Sequence, residues 1–381
     1  MYFKRDYGLT EEQKDLQAMV HDFAEKEIKP RAAEWDVNGS FTDDVLEMAK
    51  EMGLHLMAIP EKFGGMGLDK VTECILREEI GWADAGFSVT LGGFALGFLP
   101  VMLAGTDQQI AKFADVITAG GAAAFALTEA QGGSDAANTK TTAKKVGNTY
   151  VLNGSKAFIS NGDIADVYTV FAMTDKSKGV KGISAFMVDR NTPGFSIGTH
   201  ENKMGIRSSH TCSLYFDEMA IPEENLIGKE GEGFKIAMNT LNRTRVSGAS
   251  GCVGVMQRAV EEAVAYSKER EVFGKPICKH QGIAFMLADM EIKTQAARQM
   301  VRYAARTFDS GIVDPMIGSC SKTFVSDNAV QVCLDAIQVL GGYGYSREYP
   351  VEKLLRDAKS YQITEGTNQI QRITISGNML K

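Results

Sequence analysis

Apolar residues recur every three to four positions near both ends of this chain and every second position in its middle. Neither a purely helical nor a purely β architecture can bury them all. Up to about residue 120 the pattern is helical. Thr10-Glu11-Glu12-Gln13 is a capping box, in which a hydroxyl and an amide side chain each satisfy an otherwise free backbone N–H. Leu16, Met19, Val20 and Phe23 follow on one helical face, and Pro30 and Gly64-Gly65-Met66-Gly67 punctuate later turns. From about 121 to 225 the period is two. Residues 149–152, the pair Asn153-Gly154 and residues 155–160 predict a hairpin, because Asn-Gly supplies the positive φ angles of a tight turn. Residues 167–173, 182–189 and 212–221 read as further strands. Beyond 226 long helices are predicted over 234–270, 281–308 and 314–340, the last stopped by Gly341-Gly342. Gly248, Gly251 and Gly254 on the first of these allow close approach of another backbone or of a flat ligand. Met286, Met290, Met300 and Val301 on the second predict bundle core. The fold class expected is mostly α with a central β domain: an N-terminal helical domain (1–120), a small antiparallel β domain (121–225) and a C-terminal helix bundle (226–381).

Composition narrows the function. The 381 residues set a prior of two to three domains, and 44% hydrophobic with 23% charged residues excludes global disorder. With 41 Lys+Arg against 48 Asp+Glu and a net charge of -7, nucleic acid is not the expected partner. Cys74, Cys212, Cys252, Cys278, Cys320 and Cys333 lie far apart, which predicts small buried hydrophobes in a reducing compartment. The first residues, Met-Tyr-Phe-Lys-Arg-Asp, carry neither a signal-peptide core nor a transit-peptide composition, so the expected compartment is cytoplasmic. Residues 85–106 hold no charge and approach the ~20 residues of a spanning helix. Their five glycines and Pro100 predict instead two short buried helices around a cavity, and no membrane span. There is no GxxxxGK[ST] loop, GxSxG elbow or HExxH, and His21, His55, His200, His210 and His280 are scattered, so no metal is expected.

Three Gly- and Thr-rich segments remain. In Phe125-Ala126-Leu127-Thr128-Glu129-Ala130-Gln131-Gly132-Gly133-Ser134-Asp135, backbone N–H groups and hydroxyls can bind a polar heterocycle or phosphate, or form a plain turn. Gln338-Val339-Leu340-Gly341-Gly342-Tyr343 can admit a phosphate at a helix end, or simply cap it. Glu365 in Ile363-Thr364-Glu365-Gly366-Thr367-Asn368-Gln369 is either a helix N-terminal charge favoured by the dipole or a general base. With Arg270-x-x-Phe273-Gly274-Lys275-Pro276-Ile277 between the first and second, these motifs occur in one order and context. Over essentially its whole length the chain resembles the acyl-CoA dehydrogenase family, most of all its short-chain, butyryl-CoA dehydrogenase-like branch and bacterial relatives acting on cyclic or dicarboxylic acyl groups.

The resemblance implies an FAD-dependent enzyme that oxidises the Cα–Cβ bond of an acyl-CoA thioester, with Glu365 as the base that removes the α proton. Some members carry the base elsewhere, at the position of Thr244 here, which cannot serve. The resemblance places Phe125, Leu127 and Thr128 against the flavin ring, with Phe158 and Ser160 on its other side. It places Arg270, Phe273, Gln281, Gln338, Gly341 and Gly342 on the FAD of a neighbouring subunit, and Thr367 and Gln369 on the pyrophosphate and adenosine portion. A cofactor shared in this way implies a homotetramer, a dimer of dimers. Ser134, Asn242 and Arg245 match contacts to the CoA arm, with Asn242 standing where the family usually has an acid, and Gly366 lies beside the thioester. Thr364 replaces a more usual aromatic.

For the acyl group, the resemblance points to residues 87–98. That segment is uncharged, and Ser88 stands near where glutaryl-type relatives place a basic residue, so a substrate carboxylate is expected to lack a partner there. Gly92-Gly93 leave volume for a short-chain, branched, cyclic or aromatic acyl group. The electron acceptor implied is an electron-transfer flavoprotein. Two alternatives share these motifs: an enoyl-CoA reductase working in reverse within an electron-transfer flavoprotein complex, and a fold-retaining assembly protein. An oxidase is disfavoured, because that branch is usually much longer.

Overall fold

The computed structural model describes residues 8–380, so the six residues read above for a targeting segment lie outside it. Helices α1 (Glu11–Phe23), α2 (Ala32–Asn38), α3 (Asp43–Glu51), α4 (Lys70–Ala83), α5 (Ala85–Ala104) and α6 (Asp107–Thr118) come first. Strands β1 (Ala122–Ala126), β2 (Thr142–Val146), β3 (Thr149–Ser160), β4 (Ala165–Met173), β5 (Ile183–Asp189), β6 (Phe195–His200), β7 (Thr211–Pro222) and β8 (Leu226–Ile227) follow. Then come α7 (Gly233–Glu269), a β9 (Glu271–Val272) and β10 (Lys275–Pro276) ribbon, α8 (Gln281–Asp309), α9 (Pro315–Leu340), α10 (Val351–Tyr361) and α11 (Asn368–Met379). The capping box at Thr10 is formed, with Thr10 and Gln13 exchanging hydrogen bonds of 3.2 Å.

Strands β1–β8 make one sheet, in the order β6-β7-β3-β2-β4-β5-β8 with β1 beside β4. It is antiparallel except at β1, which runs parallel to β4 from Ala122 to Ala126, and at a single parallel β2–β4 pairing. The sheet is therefore mixed. Asn153-Gly154 is not a turn. β3 runs straight through it, and the register against β7 slips between Leu152 and Gly154, forming a bulge. Asn153 bonds Glu218 on β7 through both its amide atoms, and a Cβ on Gly154 would lie 2.7 Å from the Cα of Thr141. Pairing along the whole of β7 outweighs the local turn preference. The hairpin is made instead at Gly147-Asn148, where Gly147 takes φ 60.

Residues 85–104 form one helix, not two. α5 starts on Asp84, whose carboxylate accepts from Phe87 N–H at 2.7 Å, and it continues through Pro100. By length and apolar composition it could cross a membrane, yet twelve of its residues are buried within the fold. That packing overrides the local cost of Gly and Pro. Its glycines serve contact. A Cβ on Gly93 would sit 2.3 Å from Nδ2 of Asn161, and one on Gly97 2.8 Å from the backbone N of Ala124.

Along α7 the three glycines divide between the two uses their spacing allows. Gly254 meets the backbone of α4, where an added Cβ would lie 2.1 Å from the Glu78 carbonyl oxygen. On the α4 side of the same crossing, a Cβ on Gly81 would lie 2.2 Å from the Gly251 carbonyl. Gly248 instead faces the Glu365 carboxylate, whose Oε1 would lie 3.5 Å from an added Cβ. Gly254→Ala is thus expected to force α4 and α7 apart and cost about 1–3 kcal/mol, whereas Gly248→Ala leaves the midpoint of denaturant unfolding near wild type. Equal midpoints for the two variants would contradict this packing.

Candidate active site

A cavity of about 1150 Å³ opens between α5, α7, the ends of β1 and β3, and the turn from α10 to α11. Glu365 sits on that turn with φ 55, followed by Gly366 at φ 92. A positive φ is costly for a residue with a side chain, about 1–3 kcal/mol, and the surroundings enforce it. Nε of Arg245 and Nε2 of Gln371 both donate to the Glu365 carbonyl at 3.1 Å. Lys322 Nζ donates to the Gly366 carbonyl at 2.9 Å and to Oδ1 of Asn368 at 2.7 Å. The backbone is thereby turned so that the carboxylate enters the cavity above Gly248, where Thr244 Oγ1 donates to Oε2 at 3.2 Å. What remains accessible of Glu365 faces the cavity. Burial raises its pKa above the ordinary 4.5, opposed by the Arg245 charge and the Thr244 hydroxyl.

The opposite wall is the loop after β1. Phe125, Leu127, Thr128 and Ser134 line the cavity, and so do Phe158 and Ser160. A second register slip, between Lys156 and Ile159, turns the Phe158 ring outward at φ 57 and drives Lys156 inward. Lys156 Nζ donates to Oε1 of Glu129 at 2.7 Å and to the Leu127 carbonyl at 3.1 Å. Glu129 also accepts from the backbone N–H of Lys140 and Thr141. Burial alone would push the Glu129 carboxyl up, but Lys156 and these amides hold it down at about 2. This buried pair fixes the loop. Reading the loop by composition passed over Glu129, and Lys156 and Lys322 carried no motif at all.

The remaining expected contacts divide between the cavity wall and the surface. Gly366 and Thr367 line the cavity, the Thr367 hydroxyl capping α11. Asn242 does not line it; its Oδ1 accepts from Nη1 of Arg245 at 2.6 Å. Arg270, Phe273, Gln281, Gln338, Gly341, Gly342 and Gln369 are exposed and outside the cavity wall. Ring contacts of Tyr343 with Tyr266 and Tyr349 bring the end of α7, which leads to Arg270, beside the Gly341-Gly342 turn. Two histidines scattered in sequence meet in space: His200 and His210 contact Oδ2 of Asp163 at 2.8 and 2.6 Å. The uncharged segment 87–98 is one wall of the cavity, and α4 adds the charged residues Lys70, Glu73 and Arg77 to the lining. The expectation of a substrate without a carboxylate rests on residues 87–98 alone and does not include these α4 side chains.

Family models describing the N-terminal, middle and C-terminal domains of acyl-CoA dehydrogenase match residues 10–121, 124–219 and 231–380. The chain is 45% identical to "Acyl-CoA dehydrogenase" of Bacillus subtilis, over 98% of this chain and 99% of that protein. The chain belongs to the acyl-CoA dehydrogenase family. Among solved structures it is similar to butyryl-CoA dehydrogenase from Megasphaera elsdenii, with a TM-score of 0.96, 42% identity, and coverage of 99% of this chain and 100% of that one. A chain in a structure described as electron transferring flavoprotein of Acidaminococcus fermentans matches equally well, with a TM-score of 0.96, 44% identity, and coverage of 99% and 100%.

This acyl-CoA dehydrogenase is an oxidoreductase whose cofactor is FAD. The cavity fits that cofactor. The hydroxyls of Thr128, Ser134 and Ser160 have no hydrogen-bond partner among the described residues, beside the rings of Phe125 and Phe158. Phe158 is 60% exposed despite its apolar ring. A flat, polar-edged heterocycle satisfies both. Since the Glu129–Lys156 pair holds this wall, Lys156→Met is expected to cost about 3–5 kcal/mol and to release FAD on dialysis. Unchanged flavin content with an unchanged thermal midpoint would contradict that role.

Proposed function

We propose that Glu365 removes the α proton of an acyl-CoA thioester as the β hydrogen leaves as hydride, giving the 2-enoyl thioester. FAD, when bound, supplies the hydride acceptor. The observation that carries this reading is the Glu365 turn, a positive-φ glutamate held by Arg245, Gln371 and Lys322 so that its carboxylate stands in the cavity. A helix N-terminal charge would need none of these restraints. Burial favours the protonated form, which makes the ionised carboxylate a stronger base.

In this reading Phe125, Leu127 and Thr128 meet one side of the flavin ring and Phe158 and Ser160 the other. Thr367 and Gln369 reach the rest of FAD from the start of α11. Ser134 and Gly366 border the CoA arm and the thioester. Arg245 positions the base through its carbonyl, and Asn242 acts through Arg245. The exposed set of Arg270, Phe273, Gln281, Gln338, Gly341 and Gly342 serves the FAD of a neighbouring subunit, in a homotetramer built as a dimer of dimers. Their exposure outside the cavity of their own chain supports this. The domain division at about 120 and 225 agrees with where helix gives way to strand and strand to helix. The compartment we assign is cytoplasmic, and the six cysteines, all free, are compatible with reducing conditions.

Electrons pass to an electron-transfer flavoprotein. The similarity to a chain in the Acidaminococcus fermentans flavoprotein structure supports that partner, and it equally favours a second reading, reduction of an enoyl-CoA within such a complex. The test is anaerobic mixing of the purified protein with short-chain, branched, cyclic and dicarboxylic acyl-CoAs. At least one is expected to bleach the flavin absorbance, at a rate that falls on an acidic limb centred above 4.5. That sign follows from a base active only when ionised, whose pKa burial raises. A colourless protein, or a flavin that no acyl-CoA bleaches, would overturn the reading and return the assembly-protein alternative.

A further inference from the structure

The end of the cavity beyond Glu365 is polar in a way that a plain hydrocarbon chain does not explain. Arg77 is only 4% exposed, and it lines the cavity. Its Nε donates to Oε1 of Glu73 at 2.8 Å, while neither Nη atom has a hydrogen-bond partner among the described residues. The other oxygen of Glu73 is taken by Lys70 Nζ at 2.5 Å, and Lys70 also donates to Ser247 at 3.2 Å. One carboxylate thus faces two cations, leaving one positive unit among these three side chains, a charge that the Glu365 carboxylate also feels.

Two further donors converge there. The Tyr361 hydroxyl is buried without a hydrogen-bond partner, and Ser88, itself buried, has no side-chain hydrogen bond among the described residues. Both face the Gly251 position of α7, whose added Cβ would lie 2.8 Å from Ser88 Oγ and 3.3 Å from Tyr361 Oη. Across the cavity, a Cβ on Gly92 would lie 3.0 Å from Nη1 of Arg77, so glycine keeps the guanidinium uncovered. Gly248, beneath Glu365, and Gly251 stand three residues apart on α7, about 5–6 Å. The donors therefore lie roughly one helical turn from the base, at the distance of the far end of a short acyl group.

An acyl group ending in methyl would leave these buried donors unpaired, which is expensive. A carboxylate would accept from both Nη atoms in the bidentate geometry that guanidinium favours, with the two hydroxyls at its sides. We propose that this end of the cavity receives a carboxylate, so that the substrate is the mono-CoA thioester of a short dicarboxylic acid. The inference rests on the dehydrogenase reading above and deepens it.

The test compares matched pairs, glutaryl-CoA with pentanoyl-CoA and adipoyl-CoA with hexanoyl-CoA, in the holoenzyme. Flavin bleaching gives kcat/KM, and calorimetric binding of the corresponding 2-enoyl-CoAs gives affinity. The carboxylated member of at least one pair is expected to win by about 100-fold or more, the scale of a buried charge-assisted contact. Arg77→Met is expected to collapse that ratio in both readouts, and Arg77→Lys to restore part of it. If Arg77→Met fails to fold because Glu73 loses a partner, Glu73→Gln/Arg77→Met removes both charges and should show the same collapse. Preference for the uncharged members in wild type, or a ratio that ignores Arg77, would overturn the proposal while leaving the dehydrogenase reading intact. Failure of every acyl-CoA to bleach the flavin would instead refute that underlying reading.

Discussion

A single buried ammonium joins the three parts of the chain. Lys353 Nζ on α10 donates to Oδ2 of Asp84 at 2.7 Å and to Oδ2 of Asp357 at 2.6 Å. The other oxygen of Asp84 starts α5 and accepts from Ser208, and the other oxygen of Asp357 accepts from the backbone N–H of Ile206. The first helical segment, the sheet's long loop before β7 and the C-terminal bundle thus share one network. Burial disfavours the charge on Lys353, but the two carboxylates outweigh it and raise its pKa. Removing one member of such a cluster leaves an uncompensated charge, a loss of about 3–5 kcal/mol. The active site inherits this constraint. α5 is one wall of the cavity, and α10 leads directly into the turn that carries Glu365.

Geometry at Glu365, the proposed base, follows from that anchoring. Once α10 is fixed, Glu365 is reached within four residues of its last turn, and Arg245, Gln371 and Lys322 compete successfully with the backbone's own preference. The strain at φ 55 and the burial of the carboxylate are both unfavourable to folding. In the proposed reaction they serve orientation and basicity, the two properties a proton-abstracting group requires. Lys322, beneath the same turn, is itself pushed down to about 8 by burial. It holds one backbone and one side-chain oxygen rather than the carboxylate, so Glu365 is positioned without an ion pair to Lys322.

Much of this was legible in the residues. The change of apolar period marked the helix–sheet–helix order, the Thr10 capping box formed as read, and Glu365-Gly366 stood out as a carboxylate beside a glycine. What failed did so for identifiable reasons. Asn153-Gly154 has the local chemistry of a hairpin turn, but pairing with β7 is non-local and turned it into a bulge. Glycines and Pro100 in α5 looked like breaks because their partners, Asn161 and Ala124, come from the sheet. His200 and His210 met only when β6 and the loop before β7 closed on Asp163. Arg77 was invisible as a pocket residue, since an i,i+4 Glu–Arg pair on α4 has the pattern of a solvated helix face. Nothing in its neighbours announces that this face is buried against the cavity.

Proton removal by Glu365 is measured most directly without any oxidation. An acyl-CoA analogue with sulfur in place of the β carbon has no β hydride to give, so the only reaction open to it is α-proton exchange. In deuterated buffer, wild-type holoenzyme should exchange the α protons of this analogue for deuterium. Glu365→Gln, which retains size and a hydrogen-bonding carbonyl, should exchange them at least about 100-fold more slowly while remaining yellow. Exchange at the wild-type rate in that variant would contradict the assignment of Glu365 as the base.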